Sequence, residues 1–80
     1  MNKQFAYCVK QHLSQHVKGY VKFWLIGDDM EITIFSENGI KFKYTHKNLS
    51  SAIWQGFTSE TCSQIILKRY KQFIYKTYFK

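Results

Sequence analysis

The stretch that decides the fold is residues 20–46, YVKFWLIGDDMEITIFSENGIKFKYTH. Within it, apolar and polar side chains alternate in three runs, residues 20–26, 30–36 and 40–46. Alternation of this kind is typical of strands that bury one face, and the β-branched and aromatic residues in the runs favour strands as well. The stretch therefore predicts a three-stranded antiparallel meander.

The lengths of the two turns set the register of this sheet. If residues 27–28 form a two-residue loop, Leu25 lies opposite Met30 and the apolar residues of the first two strands share a face. A three-residue loop at 37–39, with Gly39 as the left-handed residue of a G1 bulge, places the apolar residues of the third strand on the same face. Because a slip of one residue moves every side chain to the other face, the buried face selects this register.

The segments on either side of the stretch have helical periodicity. A first helix is predicted over residues 3–17, a short one over 49–56, and a long last helix with Thr58 or Ser59 as its cap. The predicted inner stripe of the last helix is Cys62, Ile66, Tyr70, Phe73, Ile74 and Thr77. The expected fold class is α+β, with the order α-β-β-β-α-α in a single small domain spanning 1–80.

The composition excludes some classes of protein. Aromatic residues make up 19% of the 80 residues, so the chain can bury surface and is not a disordered tail. A domain this small has little core to spare for a deep catalytic pocket. The motifs GxSxG, GxxxxGK[ST] and HExxH do not occur. We therefore expect a protein that is not an enzyme and needs no cofactor.

The formal charge of +7 is unevenly distributed. All acidic residues lie between Asp28 and Glu60, and residues 61–80 carry only basic charges. Such a distribution attracts polyanions. No apolar run is long enough for a membrane span, no secretory signal is recognised, and the two cysteines form no CxxC pair. A cytoplasmic location is the expectation.

The predicted register places a mixed set of side chains on the second face of the sheet. Its rows are Tyr20 beside Phe35 and Lys41, Lys22 beside Thr33 and Lys43, and Trp24 beside Glu31 and Thr45. Aromatic rings can stack on bases, and lysines neutralise phosphates. Two alternatives are open: the short helix with Trp54 and Phe57 covers this face and makes a minor core, or the face binds a protein.

The outer side of the last helix is a second candidate surface. Its members are Lys68, Lys71, Tyr75, Lys76 and Phe79. A basic helix with aromatic residues fits a phosphate backbone, a membrane surface or an acidic protein. A solvated face that keeps the protein soluble is the simpler interpretation.

The first helix also carries residues of the types that bind metal ions. Cys8, His12 and His16 follow the spacing i, i+4, i+8, and two histidines at i, i+4 can hold zinc. A zinc site needs further ligands, and both histidines fall within or beside the apolar arc of the helix. Packed or half-exposed histidines are therefore favoured, and no metal is predicted.

In topology only, the order α-β-β-β-α resembles that of double-stranded-RNA-binding domains and of the arm-binding domains of some integrases. The former begin their last helix with a basic, small-residue cluster, whereas residues 46–52, HKNLSSA, hold a single lysine. The full order is similar to that of a small anti-CRISPR inhibitor, although such inhibitors are often acidic DNA mimics. Function does not follow from a likeness of fold.

Two functional hypotheses follow. The first is a small nucleic-acid-binding module, for DNA or RNA. Its predicted binding residues are Tyr20, Lys22, Trp24, Phe35, Lys41, Lys43, Lys68, Lys71 and Tyr75. The second is a protein-binding regulator or inhibitor encoded by a phage or mobile element, which docks through the same surfaces on a protein partner or as a homodimer.

Overall fold

The computed structural model describes residues 2–78 and has the predicted α+β architecture. The elements in chain order are α1 (Asn2–His16), β1 (Gly19–Ile26), β2 (Asp29–Ser36), β3 (Lys41–His46), α2 (Leu49–Trp54) and α3 (Ser59–Tyr78). The three strands form one sheet in the order β1-β2-β3. The predicted order of elements is thus confirmed.

The register of the sheet is the one that the alternation predicts. β1 pairs antiparallel with β2, so that Leu25 lies opposite Met30. β2 pairs antiparallel with β3, so that Ile32 lies opposite Tyr44. Apolar residues of all three strands therefore share one face, and the opposite face carries the mixed rows of aromatic and charged residues.

Both hairpin turns have the expected lengths. In the first, Gly27 has a φ of +62° whereas Asp28 has no positive φ, which is the pattern of a type II′ turn. In the second, the Ser36 amide donates to the Ile40 carbonyl at 2.8 Å and the Gly39 amide donates to the Ser36 carbonyl at 3.0 Å. Gly39 has a φ of +82°, as the bulge requires.

The core lies between the apolar face of the sheet and helices α1 and α3. Its buried members are Ala6, Val9, Leu13, Val17, Val21, Met30, Ile32, Ile34, Leu49, Cys62 and Ile66. Full burial of one large aliphatic side chain contributes about 1.5–3 kcal/mol. The ring of Phe42 lies 5.7 Å from that of Tyr70 and 5.3 Å from that of Phe73, which fixes α3 against β3. The prediction that Thr77 faces inward is wrong, because its side chain is exposed.

The β1–β2 turn supplies the cap that α2 lacks. Asn48, just before α2, has a φ of 56° and makes no side-chain capping bond. Instead, the Asp28 carboxylate accepts hydrogen bonds from the Ser50 amide at 3.1 Å and the Ser50 hydroxyl at 2.8 Å. The Asn2 side-chain amide donates to the same carboxylate at 2.8 Å. The bonds from Ser50 and Asn2 lower the pKa of Asp28 and tie the starts of α1 and α2 to the sheet.

The ends of α2 and α3 refine the sequence prediction. α2 ends at Trp54, two residues before the predicted end. Of the two predicted caps of α3, Thr58 is the one observed, since its hydroxyl accepts a hydrogen bond from the Thr61 amide at 3.2 Å. Glu60 lies in the first turn of α3, where its charge complements the helix dipole.

Candidate nucleic-acid interface

The sheet face opposite the helices is not covered by any helix that the structure describes. The segment after α2 packs on the other side, where the ring of Phe57 lies 5.9 Å from that of Phe5 and 5.1 Å from that of His46. Trp54 is 90% exposed. The alternative in which Trp54 and Phe57 cover the mixed face is therefore wrong.

The side chains of this open face come from alternate positions of the three strands. Pairing across the sheet gives the predicted rows: Tyr20, Phe35 and Lys41; Lys22, Thr33 and Lys43; Trp24, Glu31 and Thr45. Tyr20 is 55% exposed and Trp24 is 56% exposed, whereas Phe35 is half-buried between its neighbours. We call these nine residues the open face.

Lysines and rings contact one another at one end of the open face. The rings of Tyr20 and Phe35 lie 6.3 Å apart with their planes inclined by 30°. The Lys22 ammonium lies 5.5 Å from the centre of the Tyr20 ring and 6.0 Å from that of Phe35. The Lys41 ammonium lies 5.9 Å from the Phe35 ring. Cation–π contacts of this exposed kind contribute about 0.5–1 kcal/mol each and hold the ammonium groups close to the rings.

The centre of the open face is a shallow depression of about 210 Å³. Its lining residues are Lys22, Trp24, Glu31, Thr33, Phe35, Lys41 and Lys43. Thr33 forms the floor and is only 3% exposed. Three lysines against one carboxylate give the depression a net positive charge, so an anionic ligand is favoured there.

The open face offers two ring positions with positive charge between them. Tyr20 and Trp24 are four residues apart on β1, which corresponds to about 13 Å at the rise of a strand. Lys22 and Lys43 lie in the row between these two positions. Such an arrangement can stack two bases and neutralise the phosphates that connect them.

The predicted α3 residues form a separate surface. Lys68 and Lys71 are exposed, and Tyr75 is 64% exposed. α3 packs on Phe42, whose side chain points to the opposite side of β3 from Lys41 and Lys43. The structure therefore does not bring the α3 surface together with the open face.

A depression of about 470 Å³ lies on this α3 surface. Its lining residues are Lys71, Gln72, Tyr75 and Lys76. All four side chains belong to one helix, so no second element shapes the depression. Phe79, which the sequence placed on the same surface, lies outside the described residues.

The cysteines and histidines do not form a metal centre in the part of the chain that the structure describes. No group of three or more His, Cys, Asp or Glu side chains comes together there in a way that could hold a metal ion. Cys8 and His12 are half-buried, and His16 is exposed. Burial raises the pKa of the Cys62 thiol to about 12, which leaves this group protonated and unreactive.

Sequence reasoning missed Ile26 as part of the candidate surface. Ile26 is 65% exposed and lies two residues beyond Trp24 on the same side of β1. The strand alternation that identified Trp24 could have found it, because the period of two continues to the end of β1.

Comparison of the chain with known protein families, with curated proteins and with solved structures finds no match. Over residues 2–78, no helix combines the length and the apolar character needed to cross a membrane.

Proposed function

We propose that the protein binds single-stranded nucleic acid on the open face of its sheet. The observation that carries this proposal is the placement of Tyr20, Trp24 and Phe35 among three lysines on a face that no described helix covers. Stacking of a base on an aromatic side chain contributes about 1–3 kcal/mol, whatever the base. Neutralisation of phosphates by lysines supplies the rest of the affinity.

The exposed aromatic rings of the open face favour a single strand over a duplex. Bases in a stacked strand rise by about 3.4 Å, so the 13 Å between Tyr20 and Trp24 spans about four steps, or fewer in an unstacked strand. In a duplex the flat faces of the bases are hidden within the stack, and rings on a sheet meet only its grooves and phosphates. A single strand can turn its bases onto both ring positions.

The lysines have distinct places in this proposal. Lys22 and Lys43 lie between the two ring positions, where the connecting phosphates pass, and Lys41 lies beside Phe35. Lys68 and Lys71 on the other side of the molecule add to the positive field that draws a polyanion in, and they do not contact the bound strand.

Binding to labelled single- and double-stranded oligonucleotides over a range of salt concentrations tests the proposal. We expect affinity for single strands that falls with salt and that drops by about tenfold or more in Trp24→Ala, since a stacked base is lost. Trp54→Ala is the matched control, because Trp54 is also an exposed tryptophan but does not lie on the open face. Absence of binding at about 50 mM salt would refute the proposal.

A second candidate function is protein binding along β1. β1 is an eight-residue edge strand, and it carries the exposed Tyr20, Trp24 and Ile26. Exposed edge strands can add a strand from another chain, including a second copy of the same chain. A dimeric mass in solution that Ile26→Lys abolishes, without any binding of oligonucleotides, would favour this function over the first.

A further inference from the structure

Glu31 is unusual among the described residues of the open face because it is the one carboxylate there. It lies directly opposite Trp24 in the β1–β2 pair, and both residues line the central depression. On a surface that holds phosphates, a carboxylate lowers the affinity through like-charge repulsion. Beside an exposed ring, however, a carboxylate can accept hydrogen bonds from donor groups of a ligand other than phosphate.

The Glu31 carboxylate has no partner within the part of the chain that the structure describes. It forms no hydrogen bond and no ion pair with another described side chain, although Lys22 and Lys43 occupy the neighbouring row. The residue is half-buried, and pairing of β2 with β1 and β3 fixes its backbone position. Two acceptor oxygens thus lie beside an exposed indole ring and remain available to a ligand.

We infer that Trp24 and Glu31 form a base-specific subsite that takes guanine, an inference that rests on the proposed function. A base stacked on Trp24 turns its edge toward the neighbouring strand, where Glu31 lies. Single strands expose these Watson–Crick edges to side chains. The subsite therefore reads one base, whereas the rest of the open face binds any strand.

Guanine is the base whose edge matches a carboxylate. Its ring N1–H and its 2-amino group are adjacent donors. They can donate a pair of charge-assisted hydrogen bonds to the two oxygens of Glu31. Cytosine and adenine each place an acceptor nitrogen next to their amino group. Thymine and uracil place a carbonyl on each side of their single N–H donor. A carboxylate therefore repels part of the edge of every other base.

The flank of the subsite fits a stacked purine. Ile26 is exposed two residues beyond Trp24 on the same side of β1, so it extends the apolar surface of the indole. A purine is larger than a pyrimidine and covers more of this surface. The apolar area and the carboxylate therefore favour the same class of base.

Fluorescence anisotropy with four strands of about 12 nucleotides, a length within the usual site sizes, tests the inference. One strand is all thymidine, and the others carry a single central guanine, adenine or cytosine, which avoids the self-association of guanine runs. The protein is expected to bind the guanine strand about tenfold more tightly than the thymidine strand. Glu31→Gln is expected to lose this preference while it still binds thymidine.

Glu37→Gln is the matched control, because it removes one negative charge from the exposed β2–β3 turn. It is expected to keep the guanine preference. Glu31→Thr, which places a strand-forming residue at the same position, gives a second variant if Glu31→Gln does not fold. Quenching of Trp24 fluorescence by the guanine strand, measured in a Trp54→Phe background, reports whether the base stacks on the indole.

The outcomes separate this inference from the proposed function. Equal affinity of the protein for the guanine and thymidine strands would overturn the subsite and leave nucleic-acid binding in place. An equal change in preference in Glu31→Gln and Glu37→Gln would show that the carboxylate acts through charge alone, which also overturns it. If none of the four strands binds, the proposed function itself fails.

Discussion

Replacing the three open-face lysines should remove most of the salt dependence of binding. Each phosphate neutralised on a single strand contributes about −0.7 to the slope of log affinity against log salt concentration. Lys22, Lys41 and Lys43 therefore predict a slope of about −2, which is a loss of affinity of about 20-fold between 50 and 200 mM salt. In the variant with all three lysines replaced by glutamine, only the weak slope that the remaining positive field causes should be left.

The matched control is the double variant Lys68→Gln/Lys71→Gln, which removes charge from the α3 surface. Its slope should stay at about −2, because α3 lies on the other side of the sheet. Fluorescence anisotropy with one labelled strand, repeated over salt concentrations, measures all the slopes. If the double variant loses the slope and the triple variant keeps it, the phosphates are bound by α3 and the reasoning is refuted.

Three further predictions concern the fold. In Gly19→Ala, the new Cβ would overlap the Phe35 carbonyl oxygen at a φ of +147°, so thermal unfolding should reveal a loss of about 1–3 kcal/mol or more. Cys62 should resist a thiol reagent in the native protein and react once urea unfolds it, whereas the half-buried Cys8 should react earlier. Asp28→Asn should lower the urea midpoint at about pH 7 and change it less at about pH 2.

The pH dependence of the Asp28 variant follows from the sign of its pKa shift. Hydrogen bonds from Ser50 and Asn2 lower the folded pKa below the ordinary value of 3.8. The carboxylate therefore stabilises the fold above that value, and this contribution is lost as the pH falls through the folded pKa. Ser50→Ala removes the Ser50 hydroxyl, which is one of the three donor groups on this carboxylate, and should show the same pattern to a smaller degree. An equal loss at both pH values would contradict this explanation.

The sheet could be predicted from the sequence because two independent signals agree on its register. The alternation in β1, β2 and β3 defines a buried face, and the lengths of the two turns bring the three buried faces together. The rows of the open face follow directly from that register. The exposure of these rows could not be predicted from the register, because it depends on where α2 and Phe57 pack.

The position of α2 depends on contacts between residues far apart in the chain. Asp28 bonds to Ser50, 22 residues later, and Asn2 bonds to Asp28 across 26 residues. Neither pair leaves a periodic pattern in the sequence, so the sequence predicts only a turn at Asp28. The inward prediction for Thr77 failed for a related reason, since the helical period continues beyond the part of α3 that packs on Phe42.

The most direct test of the central claim is a titration of the ¹⁵N-labelled protein with a short single-stranded oligonucleotide, followed through the two indole N–H signals in NMR spectra. Trp24 lies on the open face and Trp54 lies away from it, so each spectrum contains its own control. Binding on the open face predicts a shift of the Trp24 indole signal, with shifts at Lys22 and Lys43, while the Trp54 signal stays in place. Shifts that leave Trp24 unchanged and cluster at Lys71 and Tyr75 on α3 would contradict the claim.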